Sequence, residues 1–136
     1  MALLAGLSGA LCGCAPLALT VLGVGASMGV QHTVNGTAYR TFSQPLPQVR
    51  KAAVAALKRM DIAVEGTTTL ASGETIAARA PTRDIEVQLE VISANVTRMS
   101  TSARNGLLLD AATASEIIAQ TESTLQRTHP PLVARK

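Results

Sequence analysis

Residues 84–104 read DIEVQLEVISANVTRMSTSAR, and this stretch decides the fold. Ile85, Val87, Leu89 and Val91 alternate with Glu86, Gln88 and Glu90. Successive side chains of a strand point to opposite faces, so residues 84–92 are expected to bury one face and wet the other. Residues 96–104 form the returning strand. A three-residue loop, Ser93-Ala94-Asn95, sets Glu90 opposite Arg98, Asp84 opposite Arg104 and Leu89 opposite Met99. Opposite charges then meet on the wet face and apolar groups on the dry one. A slip of one residue would drive charge into the core, so this register is strongly specified.

Outward from this hairpin the pattern continues. Residues 62–69 and 74–80 read as a second hairpin around Ala71-Ser72-Gly73, with Gly73 expected at a left-handed position. Residues 36–42 suit a short strand carrying Tyr39 and Phe42, the chain's two aromatic residues. Pro45 and Pro47 follow, and Pro47 fits the first turn of a helix. Leu46, Val49, Ala53, Ala56, Leu57 and Met60 recur at helical spacing, with Arg50, Lys51, Lys58 and Arg59 on the opposite side. Downstream, residues 107–109 lead into a last helix with Asp110 as N-cap. Its inward stripe is Ala114, Ile117, Ile118, Thr121 and Leu125, and Pro130-Pro131 ends it. The expected order is β-α-β-β-β-β-α. This is a two-layer α+β domain over residues 35–127, an antiparallel sheet of four to five strands with two helices on one face. Roughly 100 residues suffice for one modest core, which must be largely aliphatic.

Charged residues make up 15% of the 136-residue chain, against about 25% in an ordinary globular protein. The deficit is local, because no Asp, Glu, Lys or Arg occurs from Ala2 to Thr33. Residues 2–13, ALLAGLSGALCG, form a short apolar run ending in small residues, as in a secretory signal. Leu11-Cys12-Gly13-Cys14 follows the bacterial lipobox, with Leu at −3, a small residue at −1 and then Cys. Cys14 is the better acceptor, since Cys12 would have Leu11 at −1. On this reading residues 1–13 are a signal peptide, and Cys14 becomes the first mature residue. Its thiol carries diacylglycerol through a thioether, and several acyl chains at about 0.8 kcal/mol per buried methylene anchor a protein firmly. Residues 14–34 are then a lipidated Gly-rich apolar tether, and residues 128–136 a basic tail.

No Lys or Arg precedes the apolar run, and only thirteen residues stand before Cys14. A translation start upstream of Met1 would account for both. The alternative is an uncleaved single-span anchor, since the charge-free run is long enough to cross about 30 Å of hydrocarbon. Pro16 and the glycines oppose it, as does the basic bias after the run, which would place the domain in the cytoplasm. Gly25 and Gly29 make a GxxxG, a weak signal for helix association in lipid.

The net charge of +3 is segregated. Residues 40–59 hold Arg40, Arg50, Lys51, Lys58 and Arg59 with no acid, whereas residues 61–90 hold Asp61, Glu65, Glu74, Asp84, Glu86 and Glu90 against Arg79 and Arg83. A basic helix can touch anionic headgroups, but the plainer reading is a solvated face that complements an acidic sheet. Nucleic acid is not an expected partner, because the bases are sparse and no aromatic platform accompanies them.

Nothing in the chain reads as a catalytic, metal or nucleotide site. His32 and His129 lie at opposite ends of the domain and in no ligand spacing. Glu86 and Glu90 share a strand face and imitate a carboxylate pair, but no pocket-forming residues accompany them, so they are read as partners of neighbouring bases. No GxSxG or SxxK supports a nucleophile. Asn35-Gly36-Thr37 and Asn95-Val96-Thr97 fit the glycosylation rule and are read as a turn and a hairpin loop. The chain is therefore expected to be no enzyme and to need no cofactor.

From Cys14 onward the chain resembles a family of short proteobacterial lipoproteins, the domain of unknown function 3568. The resemblance is carried by CAPLAL at 14–19, GVGASMGV at 23–30, NGTAYRTF at 35–42, PLPQVRKAAVAALKRMDI at 45–62 and LLLDAATASEIIAQTE at 107–122. It implies an exported, lipid-anchored protein and brings no reaction or catalytic residue. By similarity to other envelope lipoproteins, Ala15 after the Cys implies outer-membrane sorting, with the domain facing the periplasm. The expected role is a structural or accessory module that presents a surface, such as an exposed edge strand, to a protein partner. The alternative is a module for lipid or a small apolar ligand held between helices and sheet. The sequence leaves the oligomeric state open.

Overall fold

The structure is a computed structural model in which residues 32–130 are described. Cys12, Cys14 and nearly all of the expected signal and tether lie outside the described residues. The elements are β1 (His32–Val34), β2 (Thr37–Phe42), α1 (Leu46–Arg59), β3 (Ala63–Leu70), β4 (Gly73–Ala80), β5 (Arg83–Ser93), β6 (Val96–Asn105), β7 (Leu108–Leu109) and α2 (Ala111–Thr128). The strands form one antiparallel sheet in the order β1-β2-β6-β5-β4-β3, with β7 also pairing β6. The two helices pack against each other and against the same sheet, which makes the expected two-layer α+β fold.

Period-two patterning fills the layer between them. Ala38 and Phe42, Ile76 and Ala78, Ile85, Val87 and Leu89, and Met99 and Ala103 point inward from β2, β4, β5 and β6. Val49, Ala52, Ala53, Ala56 and Leu57 meet them from α1, and Ala114, Ile117, Ile118 and Leu125 from α2. With a single aromatic in this core, small helix residues bring the layers close enough to exclude water.

The β5–β6 register is the expected one: Asp84 faces Arg104, Leu89 faces Met99 and Glu90 faces Arg98. Arg98 and Glu90 form an ion pair at 3.2 Å. The connection is shorter than expected. Ser93 pairs with Val96, so only Ala94 and Asn95 make the turn, and a bulge between Val91 and Ser93 absorbs the odd residue. Burial dictates the register of the strand bodies, and the loop adapts to it.

The sheet has seven strands rather than the expected four to five. The additions, β1 and β7, are three and two residues long and exposed throughout, so they carry no alternation to read. Local turn chemistry makes them instead. Asn35 and Gly36 both have positive φ, 49° and 77°, as a type I′ hairpin turn requires. His32–Val34, the end of the expected tether, thereby pairs with β2. Gly106, at φ 62°, turns the chain so that Leu108 pairs with Asn105 and Leu109 with Arg104.

Gly73 is not at a left-handed position. Leu70 pairs directly with Gly73 across the two-residue turn Ala71-Ser72, and the described positive-φ glycines are Gly36 and Gly106. Glycine is needed there for another reason: a Cβ would lie 1.8 Å from the Leu89 carbonyl oxygen on β5.

Helix ends follow from their caps. Pro at the first turn opens α1, as expected. At its far end Asp61 takes φ 57°; its N–H donates to the Lys58 carbonyl at 3.2 Å, and the Ile62 N–H donates to the Leu57 carbonyl at 2.9 Å. This is a Schellman closure with Asp in the place usually held by Gly, and buried Leu57 and Ile62 supply its apolar contact. Asp110 caps α2 as expected, accepting from the Thr113 N–H at 2.9 Å and the Thr113 hydroxyl at 2.7 Å. These bonds, with the Arg83 guanidinium, hold its carboxyl down at about 2.

Candidate functional site

The feature most open to a partner is the free edge of the sheet. All eight residues of β3 are exposed, and among the described residues β3 ends the strand order with no neighbour beyond it. Soluble proteins guard such edges with charge, proline or bulges. Here the guards lie in the first half of the strand: Glu65 occupies a bulge between Val64 and Gly66 and meets Arg79 at 3.3 Å. Gly66 to Leu70, GTTTL, carries no charge and no proline, and Leu70 is half exposed. Thr67, Thr68 and Thr69 are β-branched and suited to extended backbone. Their unpaired N–H and C=O groups form a ready template for an added strand.

The residues considered for chemistry are not gathered into a site. Glu86 and Glu90 stand exposed on the outer face of β5. Glu90 pairs with Arg98, and Glu86 accepts from the Gln88 amide at 3.0 Å. The His32 ring stacks on Tyr39 at the β1 edge, with centroids 5.3 Å apart, while His129 closes α2 through its backbone N–H to the Leu125 carbonyl. Among the described residues no cluster of three or more His, Cys, Asp or Glu is placed to hold a metal ion.

The basic face of α1 is partly consumed by structure. Arg50 pairs with Glu74 of β4 at 2.9 Å, while Arg59 reaches α2, donating to the Gln120 carbonyl at 3.0 Å and the Thr124 hydroxyl at 2.6 Å. Lys51 and Lys58 remain exposed. Arg40, read from sequence as part of the same basic stretch, is instead buried on the inner face of β2. It pairs with Glu122 of α2 and lies over the Phe42 ring at 5.7 Å. The signal was available, because Arg40 shares strand parity with Ala38 and Phe42.

Core side chains fill the space between helices and sheet. A groove of about 540 Å³ lies between the helices, lined by Pro47, Lys51, Ala52, Ala55, Leu125 and His129. At the end of the sheet where β6 turns into β7, Leu107 is fully exposed, Leu108 is 74% exposed and Leu109 46%. Sequence reasoning took these leucines only as a lead into α2. Three leucines between a turn glycine and a helix cap have no element that could bury them all, and that was the missed signal.

The family model for proteins of unknown function DUF3568 matches residues 1–123. The chain belongs to that family. The DUF3568 match spans the apolar N-terminal segment, the whole sheet and most of α2. No curated protein matches the chain. Among the described residues of this DUF3568 protein, no helix is long and apolar enough to cross a membrane.

Proposed function

We propose that this DUF3568 protein is a lipid-anchored module of the cell envelope, held to the outer membrane by acyl chains on Cys14 and facing the periplasm. There it serves as a structural or accessory protein that recruits a protein partner by strand addition to β3. The uncharged, exposed GTTTL half of β3 carries the reading, because main-chain pairing supplies affinity without any pocket. The Leu11-Cys12-Gly13-Cys14 sequence supports the anchor. A tethered domain needs no high intrinsic affinity, since confinement at a surface raises the effective concentration of its partner. The module is read as non-enzymatic. A second reading, a site for a lipid or small apolar ligand, is favoured by the groove beside Ala52, Ala55 and Leu125.

Intact mass of the membrane-extracted protein tests the anchor: the expected mass begins at Cys14 and includes acyl chains. Cys14→Ala should release the domain from membranes and Cys12→Ala should not. For the edge, Thr67→Pro and Thr68→Pro are compared in crosslinked envelopes. Successive N–H groups of a strand alternate in direction, so one of the two prolines leaves the β4 ladder intact and blocks only the open side. That variant should lose the crosslinked partner while staying folded. A wild-type protein that is monomeric and captures no partner in crosslinked envelopes refutes strand addition. Native mass spectrometry of extracted protein, showing a retained small molecule, would favour the groove instead.

A further inference from the structure

The leucine turn between β6 and β7 has no structural reason to be apolar. Leu107 touches solvent on every side, and any polar residue would serve the turn as well. Turns are ordinarily built from polar and small residues. Instead Leu107, Leu108 and Leu109 are all exposed at this end of the sheet, as is half-exposed Val34 on the neighbouring β1–β2 hairpin. The two hairpins are fitted to each other. A Cβ on Gly36 would lie 2.5 Å from the Leu109 Cβ, so glycine there lets Leu109 lie against the β1–β2 turn.

We infer that this leucine tip inserts into the lipid surface to which the chain is anchored, so that the domain docks on the membrane by a defined end. The inference rests on the lipid-anchored reading of Cys14. Three observations commit the tip to lipid. It protrudes, and an apex with no complementary hollow suits a deformable medium. An arginine stands beside it: Arg104 lies between Leu109 and Asp84 on its two neighbouring strands, is exposed, and makes no ion pair among the described residues. Of the acids nearby, Asp110 pairs with Arg83, and Asp84 shares Arg79 with Glu65. An arginine with no ion pair of its own beside exposed leucines can reach anionic headgroups above acyl chains. The chain ahead of the domain also permits the approach. Residues 14–31 carry no charge and would span at most about 60 Å when extended, and they join the sheet at β1, whose far end turns against Leu109.

The chain contains no Trp, so Leu108→Trp introduces a single reporter at the tip. The full processed protein, purified from membranes, is reconstituted into vesicles of phosphatidylethanolamine and phosphatidylglycerol with brominated acyl chains. Gln126→Trp, on the exposed side of α2, is the control. The expected result is co-flotation of both variants, with emission from the tip blue-shifted and quenched at least about twofold by bromine, and emission from position 126 unaffected. Co-flotation with an unquenched tip overturns the inference and leaves the anchor standing. A blue shift without bromine quenching also overturns it, showing that protein covers the leucines. Failure of the protein to float removes the anchor and the inference together.

Discussion

Gly73→Ala adds one methyl group at the start of β4 and should be far more damaging than its size suggests. The new Cβ would lie 1.8 Å from the Leu89 carbonyl oxygen and 2.8 Å from its carbon. Cβ atoms do not approach backbone closer than about 3.0 Å, so β4 and β5 must separate locally by roughly 1.2 Å. No rotamer change can relieve the clash, because both partners are backbone. The bond from the Val91 N–H to the Ser72 carbonyl, now 2.8 Å, would open, as would a bond of the next hydrogen-bonded pair, Glu74–Leu89. Two ladder bonds at about 1 kcal/mol each, plus the local strain, give a loss of about 2–3 kcal/mol. For a domain of this size that is roughly 10–20 °C in Tm. The control is Gly66→Ala on β3, where an added Cβ meets nothing within 4 Å. It should be neutral or raise stability by up to about 1 kcal/mol through the unfolded chain. Urea and thermal unfolding followed by far-UV circular dichroism measure both. Equal stability of the two variants would refute the close-approach argument.

Two buried threonines of β6 should respond oppositely to the same change. Thr97→Val removes a hydroxyl that donates to the Gln44 carbonyl at 2.9 Å and should cost about 1 kcal/mol, whereas Thr101→Val removes an unpaired buried hydroxyl and should stabilise by a similar amount in urea titrations. The Arg40–Glu122 pair should be asymmetric. The Arg40 side chain is 10% exposed and that of Glu122 27%, so Glu122→Gln strands the deeper charge and costs up to ~3 kcal/mol. Arg40→Met should cost less, and a double-mutant cycle by denaturation should return a clear coupling. Asp110 should show in the acid limb of stability. Its carboxyl lies at about 2 when folded, below its value of 3.8 elsewhere, so its contribution is complete above the higher value and fades as pH falls through the lower one. Asp110→Asn should flatten the stability–pH profile in that window.

The sequence disclosed elements wherever burial is periodic. Residues 84–90 and 96–104 alternate without interruption, so their partners were readable pair by pair, and the helix faces followed from Leu57 and Ile117 and their neighbours. It was silent where burial is absent. β1 and β7 exist because Asn35, Gly36 and Gly106 bend the chain back on itself, and neither strand has a wet and a dry side. Gly73 shows a different limit. Its glycine signal was visible, but a left-handed turn and a close backbone approach leave the same letter. Of the candidate surfaces, the edge strand was foreseeable in kind, since a sheet of this type must end somewhere. The leucine turn and the inward Arg40–Glu122 pair needed three-dimensional neighbours to be recognised.

The placement of β1 has a mechanical consequence. Any pull on the chain ahead of His32 is applied to a three-residue strand held by a single neighbour, and it would peel these pairs one at a time. Freeing residues 32–36 pays out roughly 17 Å of slack. The load then reaches β2, which is paired along six residues to β6 and pinned by Phe42 and by the buried guanidinium of Arg40. A load on the chain ahead of the domain would thus be absorbed first by a short, reversible fuse while the packed layers behind it stay closed.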